Sequence, residues 1–109
     1  MYTYKAKVIK VYDGDTITAD IDLGFGIWMK NQTIRLYGIN TPEVRGEERE
    51  RGTIVRDWLC EQILNKEVIL NTFKDKKGKY GRYLAEIIIN DRNINSELVE
   101  QGMAVEYMK

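Results

Sequence analysis

Residues 16–23 read TITADIDL and carry the clearest structural signal in the chain. Apolar and polar residues alternate strictly along this stretch, which is typical of a β-strand with one buried face. On the apolar side fall Ile17, Ala19, Ile21 and Leu23. We therefore expect this strand to turn these side chains toward a core and to expose its threonines and aspartates.

Two further strands flank this one. In residues 2–12, apolar side chains fall at even-numbered positions as far as Val8 and then at the odd-numbered positions of Ile9 and Val11. This change of face along the strand predicts a β-bulge. Residues 27–38 form the third predicted strand. Glycine-containing turns separate the three strands, with sequences DGD and GFG.

A helix is predicted from about residue 47 to residue 64. Its apolar residues recur with the 3.6-residue period of a core-facing helix. This stripe consists of Ile54, Val55, Trp58, Leu59 and Ile63. Two more strands follow at 67–73 and 80–89, separated by a lysine-rich turn at 75–78.

A short helix is predicted over about 96–101, with Asn95 as its N-cap and Gly102 as the left-handed residue that ends it. The whole pattern is five short strands, a helix between the third and fourth, and a short C-terminal helix. This order predicts a mainly β, α+β protein with a five-stranded OB-fold barrel. With 109 residues, we expect one domain over 1–109.

The composition excludes several kinds of function. The chain has no histidine, which excludes Ser-His-Asp triads and most zinc sites. Cys60 is the only cysteine, so it cannot form an internal disulfide, and we expect an inert buried thiol. Basic and acidic residues both number 17, so any nucleic-acid binding must depend on local charge rather than on an overall excess.

No apolar run approaches the length of a membrane span, so no membrane partner is expected. The N-terminal residues lack the apolar stretch of a secretory signal. We therefore expect a cytoplasmic location for the chain as written, or secretion if an upstream signal has been removed. A monomer is expected.

Two carboxylates lie in the first turn, at Asp13 and Asp15. In a turn they can converge, and converging carboxylates repel unless a cation lies between them. Oxygen ligands favour calcium or magnesium over zinc. The same residues also suit an ordinary hairpin turn, which is the more common meaning of such a short motif.

A second cluster follows the third strand, where Asn40 offers an amide oxygen and Thr41 a backbone carbonyl. Pro42 biases Thr41 toward an extended conformation. Glu43 is then left as a carboxylate that could orient or deprotonate a water molecule. The alternative is that these residues only begin the helix.

Two arginines, Arg35 and Arg82, sit in strand-like stretches where nothing local requires a long cation. Planar guanidinium groups match the charge that develops on a phosphoryl group during transfer. They could equally be solvated barrel residues. Tyr80, Tyr83 and Tyr107 could stack on bases or sugars, although tyrosines more often pack against a barrel.

These clusters resemble, in order, the motifs of the staphylococcal nuclease (thermonuclease-like) family. The resemblance rests on four segments: 13–16 (DGDT), 35–43 (RLYGINTPE), 79–82 (KYGR) and 95–104 (NSELVEQGMA). It implies a calcium-dependent endonuclease on an OB barrel that cuts DNA and RNA and favours unpaired strands.

The resemblance also implies a role for individual residues. Asp15, Asn40 and the Thr41 carbonyl would bind calcium, and Asp13 would lie just outside these ligands. Arg35 and Arg82 would hold the scissile phosphate, while Glu43 would act on the attacking water. The implied substrate contacts are Lys79, Tyr80 and Tyr107. The best-studied family members have an aspartate where this chain has Asn40, so we expect weaker calcium binding.

The sequence therefore predicts a metal-dependent nuclease. One alternative is an OB-type module that binds nucleic acid or protein without cleaving it. The other is a structural calcium-binding domain, in which the paired arginines would have no purpose.

Overall fold

The structure, a computed structural model, describes residues 2–77 and 82–107, with the backbone alone for residues 74–77. In chain order, the strands are β1 (Tyr2–Asp13), β2 (Thr16–Gly24), β3 (Ile27–Leu36), β4 (Ile39–Asn40), β5 (Glu67–Lys77), β6 (Tyr83–Ile89), β7 (Arg92–Asn93) and β8 (Val105–Glu106). Between β4 and β5, a 3-10 turn at Gly46–Glu48 leads into helix α1 (Arg49–Ile63). Helix α2 (Ile94–Glu100) follows β7.

Five of these strands close into a barrel. Strand β1 pairs antiparallel with both β2 and β5, β2 pairs with β3, and β5 pairs with β6. The barrel closes where β3 and β6 run parallel, with Ile34 beside Tyr83 and Leu36 beside Ala85. This arrangement, with α1 between the third and fourth barrel strands, confirms the predicted OB fold.

The predicted bulge in the first strand is present. The pairing of β1 with β2 shifts register between Val8 and Lys10. Ala6 and Val8 are buried before the shift, and Val11 is buried after it. The extra residue lets β1 turn apolar side chains of both parities into one barrel interior.

The core fills the barrel and the face covered by the two helices. Its largest fully buried side chains are Val8, Ile17, Ile34, Leu36, Leu59, Ile63, Val68, Leu70, Ile87, Ile94 and Leu98. They come from β1, β2, β3, β5 and β6 and from both helices. Trp58 and Cys60 are half-buried and pack against this core, so Cys60 is less enclosed than expected.

Two residues that were predicted to face the core are exposed instead. Leu23 is 41% exposed because it lies at the end of the β2–β3 hairpin, beyond the barrel interior. Ile54 is 65% exposed because the buried face of α1 runs through Gly52, Val55 and Leu59. The apolar stripe predicted for α1 therefore included one residue, Ile54, that does not face the core.

The third strand ends at Leu36 rather than at residue 38. Gly38 has a φ of 81°, in the left-handed region, and lies in a turn that interrupts the strand. The two following residues form β4, which pairs with β8 through Ile39 beside Glu106 and Asn40 beside Val105. The sequence did not predict this small second sheet, which connects the candidate site to the C-terminal segment.

The C-terminal helix begins earlier than expected. Its N-cap is Asn93, whose side chain accepts a hydrogen bond from the Ser96 N–H at 3.1 Å. Asn95 is therefore not the cap, and it lies buried in the first turn. Gly102 has the predicted left-handed conformation, with a φ of 76°.

Strand β5 continues to Lys77, so the chain is still extended at the predicted turn of residues 75–78. Residue 78 lies outside the described residues, as does the start of the strand predicted for 80–89. In the described part of the chain, neither helix has the length and apolar character needed to cross a membrane.

Candidate active site

The β1–β2 turn brings Asp13 and Asp15 together. The Asp15 N–H donates to Asp13 Oδ1 at 3.2 Å, and the Thr16 hydroxyl donates to Asp15 Oδ1 at 3.2 Å. Between the aspartates, Gly14 packs so closely that an added Cβ would lie 2.8 Å from the Thr41 Oγ1. A glycine at this position therefore lets the turn pack directly against the second cluster.

Asp15 is anchored to the segment that follows β3. Its Oδ2 accepts a hydrogen bond from the Thr41 N–H at 3.1 Å, and its carbonyl accepts one from the Leu36 N–H at 2.8 Å. The whole Asp15 residue is only 9% exposed. The sequence separates Asp15 from Thr41 by 26 residues, and folding places them in direct contact.

Arg35 lies between the two clusters. Its Nη2 is 3.6 Å from Asp15 Oδ2 and donates a hydrogen bond to Asn40 Oδ1. Its Nη1 donates to the Leu36 carbonyl at 2.9 Å. These contacts fix the direction of the guanidinium in a nearly buried position, which suits a group that must bind an anion with defined geometry.

Glu43 differs from these residues because its side chain is largely exposed. Its Oε1 lies 3.7 Å from Arg45 Nε. Its backbone N–H donates to Glu48 Oε1 at 3.1 Å. The backbone of Glu43 is therefore held more firmly than its side-chain carboxylate. The carboxylate is thus left accessible to solvent at the edge of the cluster.

All the described residues to which the family resemblance assigns a role line one cleft of about 1010 Å³. These residues are Asp13, Asp15, Arg35, Asn40, Thr41, Glu43, Arg82 and Tyr107. Arg82 is half-buried just before β6, and the Tyr107 N–H donates to the Gly38 carbonyl at 2.8 Å. Lys79 and Tyr80, the other two predicted substrate contacts, lie outside the described residues. Tyr83, the remaining tyrosine considered for base stacking, is half-buried and packs against the core instead.

The sequence did not predict the other charged and aromatic residues of this cleft. They include Tyr12, Tyr37, Arg45, Glu48 and Arg51. The spacing of Glu48 and Arg51 is that of an ion pair on one face of a helix, so their contact could have been expected. Nothing in the sequence indicated that Glu48 also reaches the backbone of Glu43.

The Asp15 carboxylate influences the protonation of Asp13. Burial, together with the side-chain hydrogen bond and the negative charge of Asp15, raises the pKa of Asp13 to about 7. Near neutral pH, Asp13 is therefore partly protonated, which relieves the repulsion between the two carboxylates.

The donor set fits a hard divalent cation. It combines the Asp15 carboxylate with the Asn40 amide oxygen and the Thr41 carbonyl, which are oxygen donors of the kind that calcium and magnesium prefer, and the Asp13 carboxylate lies beside them. Thr41 Oγ1 is buried and has no hydrogen-bond partner among the described residues. Within the same residues, no group of three or more histidine, cysteine, aspartate or glutamate side chains is arranged as a metal cluster.

A family model described as "Staphylococcal nuclease homologue" matches residues 33–109. This chain belongs to the staphylococcal nuclease family. The family model takes in Arg35, Asn40, Glu43 and Arg82, whereas Asp15 precedes it. The resemblance inferred from the four sequence motifs is therefore confirmed.

Several proteins are similar to nearly the whole of this chain. A thermonuclease of Staphylococcus hyicus is 34% identical over 90% of this chain and 56% of its own length. An uncharacterized endonuclease of Haemophilus influenzae is 35% identical over 93% of this chain and 51% of its own. An uncharacterized protein of Methanocaldococcus jannaschii is 32% identical over 96% of this chain and 60% of its own. The chain thus spans between 51% and 60% of the length of these relatives.

Proposed function

We propose that this chain is a metal-dependent endonuclease that hydrolyses phosphodiester bonds of DNA and RNA, uses calcium and favours single-stranded substrate. The observation that carries this proposal is that Arg35 and Arg82 line the same cleft as Asp13, Asp15 and Glu43. Hydrolysis of a phosphodiester needs both a cation-binding carboxylate and groups that offset phosphate charge, and this cleft combines them.

Asp15, Asn40 and the Thr41 carbonyl are the residues that would hold the calcium ion, with Asp13 beside them. A bound divalent cation polarises a phosphate oxygen and helps to orient the attacking water. The link from the Thr41 N–H to Asp15 Oδ2 keeps two of these donors together. Asn40 lacks the charge of a carboxylate, so the expected affinity for calcium is modest.

Arg35 and Arg82 bind the phosphate in this proposal. Negative charge grows on the non-bridging oxygens as the phosphodiester is attacked, and guanidinium groups offset it through paired hydrogen bonds. The Leu36 carbonyl and Asn40 already orient the Arg35 guanidinium before substrate arrives. This orientation reduces the reorganisation required during the reaction.

Glu43 orients the water and accepts its proton. Its carboxylate is exposed, whereas Arg35 and Asp15, which line the same cleft, are nearly buried. A general base must lie within hydrogen-bond reach of the water that it activates, and a solvent-accessible carboxylate in the same cleft meets that condition.

The aromatic groups of the cleft support the proposed preference for unpaired strands. Tyr107 is 44% exposed and lines the cleft beside Gly38. Unpaired bases have free faces that stack on such rings, whereas the bases of a duplex are already stacked. Lys79 and Tyr80 are further proposed substrate contacts.

The test compares Arg35→Ala and Arg82→Ala with the unsubstituted chain in digestion of denatured DNA. Each substitution should lower turnover by roughly 100- to 1,000-fold, while circular dichroism should show an intact fold. Arg56→Ala is the matched control because Arg56 pairs with Asp57 on α1 and does not line the cleft. Near-normal cleavage by both cleft variants would overturn the proposal, and binding without cleavage by the unsubstituted chain would favour the non-catalytic module.

A further inference from the structure

The peptide group of Glu43 is held by helix α1 and the 3-10 turn before it. The Glu43 N–H donates to Glu48 Oε1 at 3.1 Å, although Glu48 lies five residues further along the chain. Both residues are exposed, so burial does not force this contact. It joins the segment that carries the proposed general base to the N-terminus of α1.

The second carboxylate oxygen of Glu48 is also engaged. Its Oε2 lies 3.3 Å from Arg51 Nη2, one turn further into α1. One carboxylate oxygen of Glu48 thus pairs with Arg51 and the other accepts from Glu43. The two contacts together fix the orientation of the Glu48 carboxylate. An exposed ion pair of this kind contributes little to the free energy of unfolding. Its main effect is therefore to fix the local position of the Glu48 side chain.

The carbonyl side of the same peptide segment contacts α1 directly. A Cβ added to Gly52 would lie 2.9 Å from the Pro42 carbonyl oxygen and would overlap the Glu43 carbonyl. Gly52 is buried in α1, so the helix backbone itself forms one wall of this contact. Any larger residue would push the segment of Pro42 and Glu43 away from the helix.

We propose that Glu48 and Gly52 are positioning residues that fix the direction in which the Glu43 carboxylate enters the cleft. This inference rests on the proposed function, in which Glu43 activates the attacking water. Glu48 holds the N–H side of Glu43, and Gly52 lets α1 approach its carbonyl side. The two contacts remove rotations of the Glu43 backbone that would carry its carboxylate away from the scissile phosphate.

The first test is kinetic. Glu48→Ala should lower kcat by roughly 10- to 100-fold, the cost of a small misplacement of a reacting group, and should change KM little. Glu48→Gln keeps an amide oxygen that can accept from Glu43, so it should restore most of kcat. Glu47→Ala is the matched control, since it removes an exposed carboxylate from the same turn. Equal kcat values for Glu48→Ala and Glu47→Ala would overturn the inference.

The second test asks whether Glu48 acts through Glu43. In a Glu43→Gln background, Glu48→Ala should have almost no further effect on kcat, because the group that it positions has been removed. Gly52→Ala should behave in the same way. Effects that multiply in the double variants would instead indicate that Glu48 and Gly52 act independently of Glu43.

The third test needs no catalysis. Glu48→Ala should increase the hydrogen-exchange rate of the Glu43 amide, measured by NMR, and leave the barrel amides unchanged. Unaltered exchange at Glu43 would overturn the inference. If exchange rises but the unsubstituted chain cleaves no nucleic acid, the contact stands and the proposed function fails.

Discussion

Arg35 Nη2 and Asp15 Oδ2 lie 3.6 Å apart, and both side chains are nearly buried, at 13% and 12% exposure. The proposed phosphate-binding cation and the proposed metal-binding anion thus share one wall of the cleft. Water screens such a pair less than it screens surface charges, so each group strongly influences what the other can bind. The charge of the neighbouring residue at position 40 therefore matters for both.

Asn40→Asp should strengthen calcium binding by at least about tenfold, because it adds a second charged ligand beside Asp15. Isothermal titration calorimetry measures the change. Asn65→Asp adds the same charge at an exposed position between α1 and β5, and it should leave calcium affinity unchanged. Calcium affinity that is equal in Asn40→Asp and in the unsubstituted chain would contradict the assignment of Asn40 as a ligand.

Asn95→Ala should lower the free energy of unfolding by roughly 1–3 kcal/mol, the usual cost of leaving buried polar groups unpaired. Asn95 Oδ1 accepts from the Ile87 N–H at 3.1 Å, and its Nδ2 donates to the carbonyls of Tyr37 and Ala85. Urea denaturation measures the loss. Asn93→Ala removes only the helix cap and should cost about 1 kcal/mol or less. A smaller loss for Asn95→Ala than for Asn93→Ala would show that the amide does not connect these strands.

Glu97→Gln should lower the melting temperature at pH 7 and have little effect in acid. Arg92 donates to both Glu97 oxygens, at 2.8 and 2.7 Å, and this contact holds the pKa of Glu97 below its ordinary value of 4.5. A carboxyl whose pKa is lowered by folding stabilises the protein above its unfolded pKa. That contribution is lost as the pH falls through the folded pKa.

The measurement for Glu97 is the difference in melting temperature between the two proteins at several pH values. The difference should be largest at neutral pH and should disappear once Glu97 is protonated. Glu100→Gln removes an exposed carboxylate from the same helix and serves as the control. A difference that stays constant down to acid pH would mean that Glu97 acts through packing rather than through its charge.

Periodicity predicted the barrel well because long strands repeat their pattern many times. The alternation of β2 and the parity change after Val8 were both readable from the sequence. The pairing of β4 with β8 was not, because strands of two residues are too short to show a period. The N-cap of α2 was also misplaced. Asn93 and Asn95 are equally suited to capping, and only the tertiary contacts of Asn95 distinguish them.

The sequence predicted which residues belong to the candidate site, but it did not predict the hydrogen bonds that connect them. The two carboxylates in a turn and the two arginines in strand-like stretches could be identified from residue type and position alone. The hydrogen bond from Thr41 to Asp15 and the one from Glu43 to Glu48 depend on how loops meet after folding. No sequence pattern identified Gly52 as a site residue. It matters because it has no side chain at the point where α1 contacts the Glu43 carbonyl, and this contact forms only after folding.

The most direct test of the proposed metal-dependent hydrolysis is digestion of denatured DNA with calcium, with magnesium and with a chelator in parallel. We predict internal cleavage with calcium, loss of cleavage with the chelator, and recovery when calcium is restored. Cleavage that continues at the same rate in the chelator would contradict a role for the metal. The absence of cleavage under all three conditions would contradict the nuclease itself.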